Sequence, residues 1–101
     1  MQKPLNLSAD VAKQRILLIL DEGTWEVSGH CAAERMPERG VTDLDLVNAL
    51  RTGIIRREPE WEEEYGNWKY RVEGEDTEGN GLVVIVVINE AEMELFIVTV
   101  F

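Results

Sequence analysis

Cysteine, histidine and proline are almost missing from this chain of 101 residues, which has one, one and three of them. A lone cysteine excludes an internal disulfide framework, and with a single histidine beside it no typical zinc site can form. Long apolar runs are missing too. ILLIL (16–20) and LVVIVVI (82–88) fall far short of the ~20 residues that a membrane span needs. The opening MQKPLNLSADV has no apolar stretch of signal-peptide length, so a cytoplasmic protein is expected. Basic residues are scarce: ten Lys and Arg stand against twenty Asp and Glu, for a net charge of −10. Nucleic-acid affinity comes mainly from neutralising phosphates, so a chain this acidic is a poor non-specific binder.

What the chain does have is an ordinary globular composition, 45% hydrophobic and 30% charged, which can build a packed core. Its length fits one domain, residues 1–101, with a helical part at about 8–52 and a β part at about 54–101. The few cations are clustered. Arg35, Arg39, Arg51, Arg56, Arg57, Lys69 and Arg71 all fall between positions 35 and 71, leaving a local basic patch open.

The first helix is expected over 8–21, with Ser8 as N-cap, Asp10 at the positive end of the dipole and Gly23 as stop. Ala9, Ala12, Ile16, Ile19 and Leu20 share one side, with Lys13 and Gln14 away from it. Residues 24–28 alternate like a short strand. A second helix starts near Gly29 and His30, with Ala32, Ala33 and Met36 buried. Pro37 should kink or end it, because it lacks an amide hydrogen and disfavours helix at Met36, and Gly40 closes the turn. Thr42 and Asp45 form a capping box for a third helix that stops at Gly53.

Everything after Gly53 reads as β-structure. A strand over 54–58 meets Pro59 and so belongs at an edge. An acidic loop over 61–66 follows, then a strand over 67–75 with Trp68, Tyr70 and Val72 facing the core and Lys69, Arg71 and Glu73 the other way. DTEGNG is a hairpin turn. The runs 82–88 and 95–101 are apolar on both faces, as central strands buried on both sides are. Pairing the last strand with 24–28 would remove an exposed apolar edge and bring His30 to the end of the sheet. The fold class is therefore α+β, with N-terminal helices on a four- to five-stranded antiparallel sheet.

Four groups could carry chemistry. His30 is the side chain best suited to exchange a proton near neutral pH. Arg35 and Arg39, four apart, could hold a phosphate. On an α-helix His30 would point ~140° away from Arg35, so the three converge only at a frayed start or a bend at Pro37. Lys69 and Arg71 share a sheet face that could cradle a phosphate, and Thr99 is a lone hydroxyl in an apolar strand. Each has a plainer reading: a helix-start histidine, ion-paired arginines, a solvated strand face, a hydroxyl bonded within the sheet. Cys31 is expected to be a small buried side chain. Trp61, Tyr65 and Trp68 are read as core or partner contacts beside the acidic block at 62–64.

His30, Arg35-Met36, Glu38-Arg39-Gly40, Leu50-x-x-Gly53, Tyr70-Arg71-Val72 and Ile97-Val98-Thr99-Val100 together give a pattern that resembles domain-of-unknown-function family 4258. The relatives of that family are thought to include RelE-, BrnT- and MqsR-type ribonuclease toxins. The resemblance implies a toxin-ribonuclease-like fold of the RelE and barnase–EndoU–colicin kind, whose open sheet face would hold RNA. It carries the family's polar positions to His30, Arg35, Arg39, Arg71 and Thr99; catalytic roles are expected of His30, Arg35, Arg39 and Arg71, and substrate-binding roles of Lys69, Tyr70 and Thr99. It also implies a metal-independent endoribonuclease with no cofactor and a small zinc-ribbon antitoxin as partner. Strands apolar on both faces, with helices to cover only one, predict a homodimer or hetero-complex rather than a free monomer. The alternative is a non-catalytic protein-interaction module of the same fold.

Overall fold

The computed structural model describes residues 3–101; the two residues before them, at the head of the stretch read for a leader, lie outside it. Helix α1 (Ala9–Glu22) begins where expected: Ser8 Oγ accepts from the Val11 N–H at 3.3 Å. It ends where the Gly23 N–H donates to Ile19 O at 2.8 Å. Gly23 has a second reason to be glycine, because a Cβ there would lie 2.2 Å from the Met93 carbonyl oxygen. The close approach lets the chain turn straight into β1 (Thr24–Val27). Of the expected apolar face, Ala12, Ile16 and Ile19 are buried, while Ala9 is exposed. Lys13 does not point away. Its Nζ donates to the carbonyls of Leu50 (2.6 Å), Arg51 (2.8 Å) and Gly53 (2.5 Å) at the end of the third helix.

Ser8 has a counterpart at the second helix, and it is not Gly29 or His30. Ser28 Oγ accepts from the Cys31 N–H at 3.1 Å and donates to Val98 O at 2.7 Å, so one hydroxyl caps the helix and ties it to the sheet. The helix then runs unbroken over 29–39, with Cys31–Arg35 wound as a π-helix before α2 (Met36–Arg39). The expected break at Pro37 is absent, and Met36 is fully helical at φ −64°, ψ −48°. Proline clashes with the carbonyl four residues back in an α-turn. The wider π-turn before Pro37, with its i→i+5 bonding, gives the ring room. The same winding changes the buried side: Cys31 is fully buried and Met36, five residues on, half-buried, while Ala32 and Ala33 are exposed. Gly40 closes the turn at φ +63°.

Helix α3 (Asp43–Thr52) has the full capping box, with Asp45 N–H on Thr42 Oγ1 and Thr42 N–H on Asp45 Oδ2. The strands β2 (Glu60–Glu62), β3 (Asn67–Glu75), β4 (Gly81–Asn89) and β5 (Glu94–Val100) complete one sheet of order β1-β5-β4-β3-β2. The edge strand is not 54–58, where only Ile54 bridges to Glu73. It starts just past Pro59, at Glu60, and runs into the expected loop, where Trp61 meets Trp68 edge-on at 5.1 Å. The sheet is mixed rather than antiparallel, because β1 runs parallel to β5, with Trp25 beside Leu95. That pairing covers the apolar last strand, as the edge argument requires.

α1 and α3 pack on one face of the sheet, over Tyr70, Val72, Leu82, Val84, Val86 and Ile97. The other face is open. Val83, Ile85 and Val87 are therefore only half-buried, not enclosed on both sides. In β5 the alternation breaks. Val86 pairs Ile97 but Ile85 pairs Thr99, so Val98 is an extra residue in a β-bulge. Past the bulge the faces switch. Leu95, Ile97 and Val100 point into the core, and Phe101, which unbroken alternation would put beside Ile97, is exposed.

Candidate functional site

The open face of the sheet carries a cleft of about 730 Å³. Its floor is apolar, made by Val87 on β4 and by Phe96 and Val98 on β5. Around it stand Lys69 and Asn67 from β3, Thr99 from β5, and Ser28, His30 and Arg35 from the second helix, with Glu62 and Tyr65 on the β2–β3 side. His30 and Arg35 share this cleft because of the π-winding. On an α-helix residues five apart diverge, but one π-turn brings them back to the same side. Ser28 fixes the start of that helix on β5, so the positions of both side chains follow from the sheet.

His30 is well exposed, with 63% of its side chain open, and its Nδ1 lies against Glu34 Oε2. That contact orients the ring through Nδ1 and leaves Nε2 without a partner among the described residues. Arg35 is 3.9 Å from Glu38, too long for a good hydrogen bond. Lys69 sits deeper and is held by Glu62 at 3.3 Å. Thr99 reaches the open face beside Lys69 because of the bulge, which turns two successive residues, Val98 and Thr99, towards the same side.

A smaller groove of about 250 Å³ adjoins the cleft and shares Lys69, Val98 and Thr99 with it. Arg57, Arg71, Ile85 and Phe101 line it, with Glu58 and Glu60. The Arg71 guanidinium lies 5.3 Å from the Phe101 ring centre. Its buried Nε has no hydrogen-bond acceptor among the described residues, and the nearest carboxylate, Glu73, is 3.9 Å off.

His30, Arg35, Lys69 and Thr99 thus come together, and Arg71 stands next door. Two expected site residues do not join them. Arg39 lines neither groove, because it is the π-segment, not α2, that packs on β5. Tyr70 lies on the opposite face, 3% exposed, and its hydroxyl accepts from the Leu7 N–H at 2.8 Å. Burial raises the pKa of that phenol. The chain's own alternation had already put Tyr70 on the core side.

Ser28, Asn67, Tyr65 and Glu62 are cleft residues that sequence reasoning missed. Asn67 could have been found, since it alternates with Lys69 and Arg71. Tyr65 is 74% exposed in an irregular stretch, and no periodicity points to it. Cys31, beside His30 in sequence, is buried in the core, where desolvation raises its thiol pKa, so it has no part in the cleft. Among the described residues no group of three His, Cys, Asp or Glu is placed to hold a metal ion, and no helix is long and apolar enough to cross a membrane.

An open mixed sheet with helices on one face and a cation-rimmed apolar cleft on the other defines a small α+β protein with its candidate site on the sheet. The chain belongs to the family Domain of unknown function (DUF4258), whose model matches residues 27–101. The matched region contains every residue of the cleft and leaves out α1. No curated protein and no solved structure matches the chain.

Proposed function

We propose that this protein is a toxin-like endoribonuclease of a bacterial toxin–antitoxin pair, which cleaves RNA through the 2′-hydroxyl without a metal. The observation that carries the reading is one cleft holding a histidine with a free ring nitrogen, two cations and a hydroxyl over an apolar floor. In this reading His30 Nε2 takes the proton of the 2′-hydroxyl, whose oxygen attacks phosphorus to give a 2′,3′-cyclic phosphate. The 5′-oxygen leaves and is protonated by solvent in the open cleft. Arg35 and Lys69 neutralise the charge that builds on the phosphoryl oxygens, and Thr99 donates to one of them. The apolar floor and Tyr65 offer surfaces on which a base can stack. A small zinc-ribbon antitoxin would silence the protein by covering the same face.

The test is RNA cleavage by the purified protein, with and without ribosomes, followed by the variant His30→Ala. Cleavage should leave cyclic-phosphate ends and fail at a 2′-deoxy position, and His30→Ala should lower the rate by ~10² or more. If every RNA stays intact, the second reading takes its place: a non-catalytic interaction module. The open apolar face of Ile85, Val87, Phe96 and Phe101 favours that one.

A further inference from the structure

The molecule is acidic overall, yet on its open face the charges balance. Arg35, Arg57, Lys69 and Arg71 line the two adjoining grooves against Glu58, Glu60 and Glu62, with Glu73 beside Arg71, in a chain of net charge −10. Four of the ten cations are therefore gathered on one face. Two of them are set along one strand. Lys69 and Arg71 stand two residues apart on the same side of β3, so their stems are about 7 Å apart along the strand, the scale of neighbouring phosphates in an extended nucleic-acid strand. Lys69 and Thr99 belong to both grooves and form the junction between them.

Arg71 is prepared for an anion. Stacking against Phe101 steadies the plane of its guanidinium. Its Nε is buried and has no acceptor among the described residues, so an incoming anion meets the terminal nitrogens of the guanidinium. Glu73, the adjacent carboxylate, is ion-paired with it at 3.9 Å, too long for a hydrogen bond, and its buried Oε2 has no donor among the described residues. Arg57 lines the same groove from an exposed segment.

We propose that the Arg57–Arg71 groove is a second phosphate subsite, so that the site takes a single-stranded polynucleotide of at least two phosphates rather than a mononucleotide. The first phosphate lies between Arg35, Lys69 and Thr99. The next lies between Arg71 and Arg57, where the Arg71 fork can give two N–H bonds to its oxygens. The proposal rests on the reading of the main cleft as an RNA site, and it moves Arg71 from the cleaved phosphate to its neighbour.

The experiment uses 2′-deoxy ligands, which that chemistry cannot cleave. Thymidine monophosphate and thymidylate oligomers of two and four phosphates are titrated into the wild-type protein and into Arg57→Gln across a range of salt. Affinity should rise from one phosphate to two, with the slope of log K against log salt growing by roughly 0.7 per added contact. Arg57→Gln should weaken the oligomers roughly tenfold and remove that increment, while leaving the monophosphate unchanged. Arg57→Glu, at the same exposed position, should act in the same direction and more strongly. Equal affinity for one and two phosphates, indifference of the oligomers to both substitutions, or no binding at all overturns the subsite. Oligomer binding that depends on Arg57 in a protein that never cuts RNA keeps the subsite and removes the nuclease reading. RNA cleavage that depends on His30 but not on Arg57 does the reverse.

Discussion

Asp45 shows what a single carboxylate can do when each of its oxygens is used. Oδ2 takes the Thr42 N–H in the capping box, and Oδ1 takes the N–H of Thr77 at 2.9 Å and its hydroxyl at 2.7 Å. The residue joins the start of α3 to the β3–β4 turn, thirty-two positions away. Hydrogen bonds from the Thr77 and Thr42 backbones stabilise the ionised form and hold its pKa well below the usual carboxylate range. A carboxylate with a lowered pKa in the folded state stabilises the fold above its unfolded value, 3.8, and loses that effect as pH falls through the folded one. Asp45→Asn should therefore lower the urea midpoint at pH 7, and the gap to wild type should close progressively below pH 3.8. A gap that stays constant down to pH 2 would show that the charge is irrelevant there. The half of this arrangement inside Thr42–Asp45 is legible in sequence, because a capping box is local. The half that involves Thr77 depends on tertiary approach and has no sequence signal. His30, Lys69 and Thr99 were legible as residue types, but their meeting was not: it takes a π-turn and a bulge, and both are departures from the regular periods on which such readings depend.

At the scale of elements the same contrast holds. Strands β3, β4 and β5 follow from alternation and apolar runs, and β1 was placed beside β5 by asking what would cover an apolar edge. The edge strand β2 was misplaced because Pro59 marks where pairing begins, not where it ends. Lys13 was misread because helical spacing says which way a side chain leaves α1 but not what lies within its reach. Its ammonium ends among three carbonyls that α3 cannot satisfy itself, at the negative end of that helix's dipole. Burial lowers the Lys13 pKa, so desolvation offsets part of the gain. Lys13→Met keeps the stem and removes the charge. It should cost about 1–2 kcal/mol in chemical denaturation and loosen hydrogen-exchange protection at the end of α3 more than elsewhere. A loss spread evenly over the domain, or none, would mean that the carbonyls find other donors.

For the whole molecule the decisive contrast is between an acidic chain and an apolar sheet face on which cations and carboxylates balance. The helices seal only one side. Phe96 remains 36% exposed and Phe101 42%, with Ile85 and Val87 half-buried between them. Soluble monomers seldom leave such a contiguous face bare, and two copies meeting there would shield it. Their like charges, −10 each, oppose the encounter at low salt, and screening over a Debye length of about 10 Å at 0.1 M relieves that repulsion. Phosphate binding on the same face runs the other way, since salt competes with it. Self-association should therefore strengthen, and oligonucleotide binding weaken, between about 0.05 and 0.5 M salt, with each process inhibiting the other at fixed salt. Sedimentation velocity across that range, with and without a deoxy-oligonucleotide, measures both. Phe96→Lys should keep the protein monomeric throughout, because it places a desolvated charge at the centre of the contact. A wild-type protein that stays monomeric at every salt concentration would leave the face to a ligand or a different partner. A dimer that binds oligonucleotide undiminished would show that the copies join elsewhere.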